Sequence, residues 1–167
     1  MRATALAALL CCSMLATGCS TAMRGSMALS NGDTTQALAL YQQALEKEPD
    51  SLYLRQRIGL TYFAMKDYAS AEATFQDILT RAPGEPEATF YLGLSRIGKG
   101  EREQGLDMLE KLHWPYKYLQ QKAVREEAQR LRKHPEMSPA EIFQAMQDAL
   151  AAGIQEQHKY DIENGFS

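Results

Sequence analysis

No cysteine occurs after residue 19: Cys11, Cys12 and Cys19 are all that the chain has. A disulfide framework is therefore excluded for the body of the protein. Histidine is scarce as well, and His113, His134 and His158 stand more than twenty residues apart, with no cysteine or paired carboxylate at the distances metal ligands usually keep. No glycine-rich phosphate loop of either usual pattern is present, and no nucleophile motif frames the serines. The chain thus offers no catalytic constellation, no metal site and no cofactor site, and the expectation is a binding protein, not an enzyme. A formal net charge of -3 over 167 residues demands neither nucleic acid nor an anionic surface as partner. The one long apolar run, Ala3 to Leu15, is too short to cross a bilayer as a helix. The remainder, 45% apolar and 8% aromatic, is an ordinary globular balance that allows one domain and little more.

What the chain does have is periodicity, strongest from Leu52 to Glu85. Leu54, Ile58, Gly59 and Tyr62 recur at three- and four-residue spacing and define one stripe of a helix. A glycine inside a helix costs roughly 1 kcal/mol relative to alanine, so Gly59 is explained by a second helix passing close at that level. Lys66-Asp67 breaks the pattern, and Tyr68, Ala71, Ala73, Phe75, Ile78 and Leu79 resume it until Pro83-Gly84. The reading is a helical hairpin.

The same skeleton returns thirty-four residues away in both directions. Upstream, Gly32, Ala37, Tyr41, Ala44 and Pro49 stand where Lys66, Ala71, Phe75, Ile78 and Pro83 stand; downstream, Leu92, Gly93, Gly100, Gly105, Leu109 and Leu112 repeat the pattern. Small residues at the helix crossings followed by an aromatic, at a period of about thirty-four, resemble the tetratricopeptide repeat. One hairpin cannot bury its apolar face alone, and about three are needed to share a core. The resemblance implies an all-α, right-handed superhelical solenoid with repeats at about 18–51, 52–85 and 86–119.

That resemblance also implies where a partner would bind. The concave face belongs to the first helix of each hairpin, and the family's groove positions fall on Tyr53, Gln56, Arg57, Leu60, Phe63 and Ala64 in one repeat. In the next they fall on Glu87, Phe90, Tyr91, Leu94, Ile97 and Gly98. Members that clamp a carboxylate terminus place Lys, Asn and Arg at such positions, whereas Gln56, Leu60, Glu87 and Tyr91 stand here. An apolar or amphipathic protein segment suits this lining better. Whether it comes from a partner or from the chain's own Ile142 to Ile154 stripe is left open by the sequence.

At the start, Arg2, the apolar Ala3 to Leu15 and the small residues before Cys19 read as a targeting leader. Leu15-Ala16-Thr17-Gly18-Cys19 resembles a bacterial lipobox, departing from it by Ala rather than Leu three residues before the cysteine. The resemblance implies cleavage of residues 1–18, lipidation (palmitate among the acyl chains) of Cys19 and, with Ser20 following, sorting to the outer membrane of a Gram-negative cell on its periplasmic side. It also explains the lone thiol. Loss of Arg2 leaves 17 basic against 21 acidic side chains, a balance of -4. Ser20 to Leu29 must then supply the first helix, packed through Ala22, Gly25 and Ala28, so the repeats would sit against the membrane without a long tether.

Beyond the third repeat, His113-Trp114-Pro115-Tyr116-Lys117-Tyr118 reads as a packing seam or as an exposed aromatic contact surface before a helical cap at 120–160. A helix is expected from about Tyr118 to Lys133, with Leu119, Ala123, Ala128 and Leu131 inward and Arg130, Arg132, Lys133 and His134 favourably placed at its C-terminus. Ser138-Pro139-Ala140-Glu141 is a helix start. Ile142, Phe143, Met146, Ala149, Leu150, Gly153 and Ile154 mark its apolar face, and Gln155 to Ser167, apart from Ile162 and Phe166, reads as a polar end open to fraying.

Overall fold

The computed structural model describes residues 21–165, and everything described is helix or connection. Compactness divides the chain into two units, Met1–Thr74 and Phe75–Ser167. The first holds α1 (residues 21–30), α2 (Thr34–Lys47), α3 (Leu52–Ala64) and the first half of α4 (Tyr68–Arg81). The second holds the rest of α4 with α5 (Pro86–Gly98), α6 (Arg102–Glu110), α7 (Tyr118–Arg132) and α8 (Pro139–Glu163).

The period is written into the backbone. Gly32, Lys66 and Gly100, thirty-four apart, all take positive φ, at 82°, 61° and 91°. Each closes the same helix end: Gly32, Lys66 and Gly100 donate to Leu29, Phe63 and Ile97, and the next residues, Asp33, Asp67 and Glu101, donate to Ala28, Tyr62 and Arg96. This paired closure satisfies carbonyls that a helix terminus otherwise leaves bare. Asp33 and Asp67 then turn round to cap the next helix, accepting from the N–H groups of Gln36 and Ser70. The entries of α3 and α5 likewise repeat, with Ser51 and Glu85 accepting from Leu54 and Ala88.

Unit 1 is built on Tyr41. Its ring is buried beside Gly25, where a Cβ would come within 2.9 Å of the ring carbons. The phenol oxygen lies 2.9 Å from Ser26 Oγ and accepts from Arg57 Nε at 3.1 Å. A buried tyrosine needs such partners. Ala28, Ala37, Ala44, Leu54 and Ile58 complete this core, and Gly59 is buried in α3 as its place in the stripe predicts.

Unit 2 packs α5 on α6 through a glycine pair. A Cβ on Gly93 would meet the Leu109 side chain, and one on Gly105 would overlap the Gly93 carbonyl oxygen. The two helices therefore touch backbone to backbone. Arg102, at the start of α6, reaches across to close α7, donating to the carbonyls of Leu131, His134 and Met137. Arg132 pairs at 2.7 Å with Glu103 and with Glu110 of α6, and Arg130 with Glu127. The basic end of α7 is thus held by carboxylates and not by the helix dipole alone.

Several expectations are corrected. Ala73 is exposed, because two residues carry it about 200° round α4 from the stripe of Ala71, Phe75 and Ile78. In α7 the fully buried positions are Gln120, Val124, Ala128 and Leu131, one step round from the expected Leu119 and Ala123, which are half-buried. α8 does not fray after Ile154 but continues to Glu163. Its capping box at Ser138 and Glu141 is formed as expected, and Gly153 brings it against the α7 backbone at Gln120. The aromatic corner is a seam only through Trp114, half-buried with its backbone N–H on Gln121 Oε1; Tyr116 is 97% exposed and Tyr118 also faces solvent.

Candidate partner-binding surfaces

The two helices expected to line a groove differ. On α3, Tyr53 is exposed and Gln56, Arg57, Leu60 and Phe63 are half-buried, with Ala64 exposed at the helix end. Helical spacing puts them on one face, and two of them, Arg57 and Phe63, are held by neighbouring rings. The Arg57 guanidinium lies 5.5 Å above the Tyr41 ring centroid while donating to its oxygen. Phe63 meets Tyr68 edge to face at 5.5 Å. The result is a partly covered apolar surface with one oriented cation.

On α5 the corresponding residues are core. Phe90, Leu94 and Ile97 are each no more than 1% exposed. Ile97 does not face a groove at all, since its side chain lies where a Cβ of Gly105 would stand. Tyr91 is half-buried, stacked on Phe75 at 5.7 Å and edge-on to Phe90 at 5.2 Å. Phe90, Leu94 and Ile97 are therefore corrected from groove lining to packing residues. Within this unit α8 lies along α7 and also reaches α5.

The sequence reading overlooked a third region. Gln157, in the stretch expected to fray, is buried and accepts the Leu119 N–H at 3.1 Å while donating to Asp161. It caps α7 from α8. Beside it a cleft of about 370 Å³ is lined by Tyr118, Leu119, Gln157 and Tyr160, and a second of about 450 Å³ by Ile154, Gln155, His158, Lys159, Ile162 and Glu163. The eight-residue spacing of Ile154 and Ile162 was the available signal. Among the described residues no group of three His, Cys, Asp or Glu side chains is placed to hold a metal ion, and no described helix is long and apolar enough to cross a membrane. Cys19 lies outside the described residues.

Residues 28–112 match the tetratricopeptide repeat family. The chain belongs to that family. Such repeats form modules that bind protein partners, and the all-α hairpin architecture is that of the family. Among solved structures, this repeat protein is similar to the Sgt2 TPR domain from Aspergillus fumigatus, with 17% identity and a TM-score of 0.54 over 90% of this chain and 84% of that one. It is also similar to a MamA RS-1 ArsTM double mutant, with 21% identity and a TM-score of 0.53 over 79% and 74% of the two chains. At these identities the likeness is one of fold. No curated protein matches the sequence.

Proposed function

We propose that this repeat protein is a membrane-anchored periplasmic scaffold, held at the outer membrane through lipidated Cys19 and binding protein partners during cell-envelope assembly or secretion. The observation that carries the binding half is the α3 face: Gln56, Arg57, Leu60 and Phe63 keep partial exposure, with Arg57 held on the Tyr41 ring and Phe63 set edge-on to Tyr68. Partial exposure of an apolar, pre-positioned face leaves hydrophobic area for an apolar or amphipathic segment to cover, at little ordering cost. Support for the anchor comes from the lipobox-like Leu15 to Cys19 and the absence of any later cysteine. More than one acyl chain is what firm attachment requires. No step asks for a small-molecule substrate or a cofactor.

The burial of Phe90, Leu94 and Ile97 favours a second reading for the other unit, in which that part is a fixed structural element of a single export, pilus or polysaccharide machine. Radiolabelled palmitate should enter the wild-type chain and not the Cys19→Ala variant. Export without palmitate incorporation would remove the anchor. A pull-down from detergent-solubilised envelope, repeated with Leu60→Ala/Phe63→Ala, should lose its captured protein; unchanged capture would remove the α3 face.

A further inference from the structure

Where chain and membrane meet follows from the exposed side chains of unit 1. Met23 and Met27, one helical turn apart on α1, are 64% and 61% exposed, with Arg24 exposed beside them. Core-type residues that a repeat could have buried stand in solvent. Tyr41 of α2 is bonded to Ser26 of α1 and to Arg57 of α3, and the connections at 31–33 and 48–51 are tight. The starts of α1 and α3 must then lie at the same end of the unit. At that end α3 exposes Leu52 and Tyr53, the latter by 55%. Cys19 precedes Thr21 by two residues, so a chain extended at about 3.5 Å per residue holds that end within roughly 10 Å of any lipid on Cys19.

The geometry points to this end of unit 1, through Met23, Leu52 and Tyr53, as a surface that rests in the lipid headgroup layer. The inference rests on the proposed lipidation of Cys19 and adds the face that the anchor presses down. Tyrosine, with an apolar ring and a polar tip, is suited to the membrane–water boundary, and methionine and leucine to the acyl side of it. Arg24 is placed to meet lipid phosphates. Tyr53 thereby belongs to the membrane face, and the partner face of α3 begins at Gln56.

The test uses the lipidated protein, purified from membranes and reconstituted in vesicles of phosphatidylethanolamine and phosphatidylglycerol. An environment-sensitive fluorophore is attached at Met23→Cys, at Tyr53→Cys or, as control at the opposite end, at Thr35→Cys. The first two labels should emit to the blue and be quenched by nitroxide-bearing lipid, and the third should do neither. If the protein carries palmitate and floats with the vesicles yet no label is quenched, the anchor stands and the membrane face is overturned. Blue-shifted labels that the lipid-borne quencher cannot reach would assign the surface to a second copy of the chain and overturn it too. Absence of palmitate and of flotation would overturn the anchor, and the inference with it.

Discussion

The two units apply one repeat pattern to different ends. In unit 1 the first helix of the hairpin, α3, keeps Leu60 and Phe63 half-buried over a polar network at Tyr41; in unit 2 the same positions of α5, Leu94 and Ile97, are sealed. Turn geometry is shared between them, down to the paired hydrogen bonds at Gly32, Lys66 and Gly100. Burial is not. Repeat grammar therefore settles where helices start and stop, while burial differs from hairpin to hairpin, as where Ile97 is sealed against Gly105 of α6.

Truncating one aromatic in each of these helices should expose that contrast most strongly. Phe90→Ala removes a fully buried ring and is expected to cost about 3 to 5 kcal/mol. Phe63→Ala removes a half-buried one and should cost well under half of that. Denaturant melts of the two variants read the difference, and equal losses would mean that α3 is as closed as α5.

Glycine crossings give the next largest effect. Gly105→Ala sets a methyl against the Gly93 carbonyl oxygen, which the backbone cannot easily yield, and about 1 to 3 kcal/mol is expected. Gly25→Ala meets only the Tyr41 ring and should cost less. A melting midpoint unchanged by Gly105→Ala would contradict the backbone contact of α5 and α6.

Lys66 is the odd member of the turn series. A non-glycine side chain in left-handed geometry costs about 1 to 2 kcal/mol, partly offset by the chain entropy that glycine loses. Lys66→Gly should therefore stabilise unit 1 by less than about 1 kcal/mol, whereas Gly100→Lys should destabilise unit 2. Opposite signs in paired urea melts would confirm the equivalence of the turns, and like signs would break it.

The smallest effect is acidic. Hydrogen bonds from the Ser70 hydroxyl and N–H hold Asp67 below the ordinary carboxylate range, and those from Ser138 do the same for Glu141. A depressed folded-state value gives stability that is present above the ordinary carboxylate range and lost as pH falls through the lowered one. Amide exchange at the starts of α4 and α8 should accelerate on acidification, and in Ser138→Ala the α8 response should shrink. A pH-independent exchange rate, after correction for intrinsic chemistry, would remove this contribution.

How far the sequence could be read depended on whether the information was local. Helix limits were legible because Pro83-Gly84, Asn31-Gly32 and Ser138-Pro139 carry their own geometry, and spacing alone placed Leu54, Ile58, Gly59, Gly105 and Leu109 inward, while it overstated the half-buried Tyr62 and missed the buried Thr61 and Leu106. How completely α5 would be covered was not legible, since that depends on tertiary contacts such as the packing of Ile97 against Gly105 of α6. Arg102 closing α7 and Gln157 capping it are contacts spanning some thirty to forty residues in sequence. Each of these polar side chains reads in sequence as a solvated position. The same blindness hid the continuation of α8, whose polar composition disguised a helix held at Gly153 and Gln157.

Capture and stability measured on the same variants test the central proposal that α3 presents a partner surface while α5 is internal. Leu60→Ala/Phe63→Ala should lose the envelope protein retained by wild type with palmitate incorporation intact and only a small fall in melting temperature, whereas Phe90→Ala should melt far earlier. Full capture by a well-folded Leu60→Ala/Phe63→Ala protein would contradict the account.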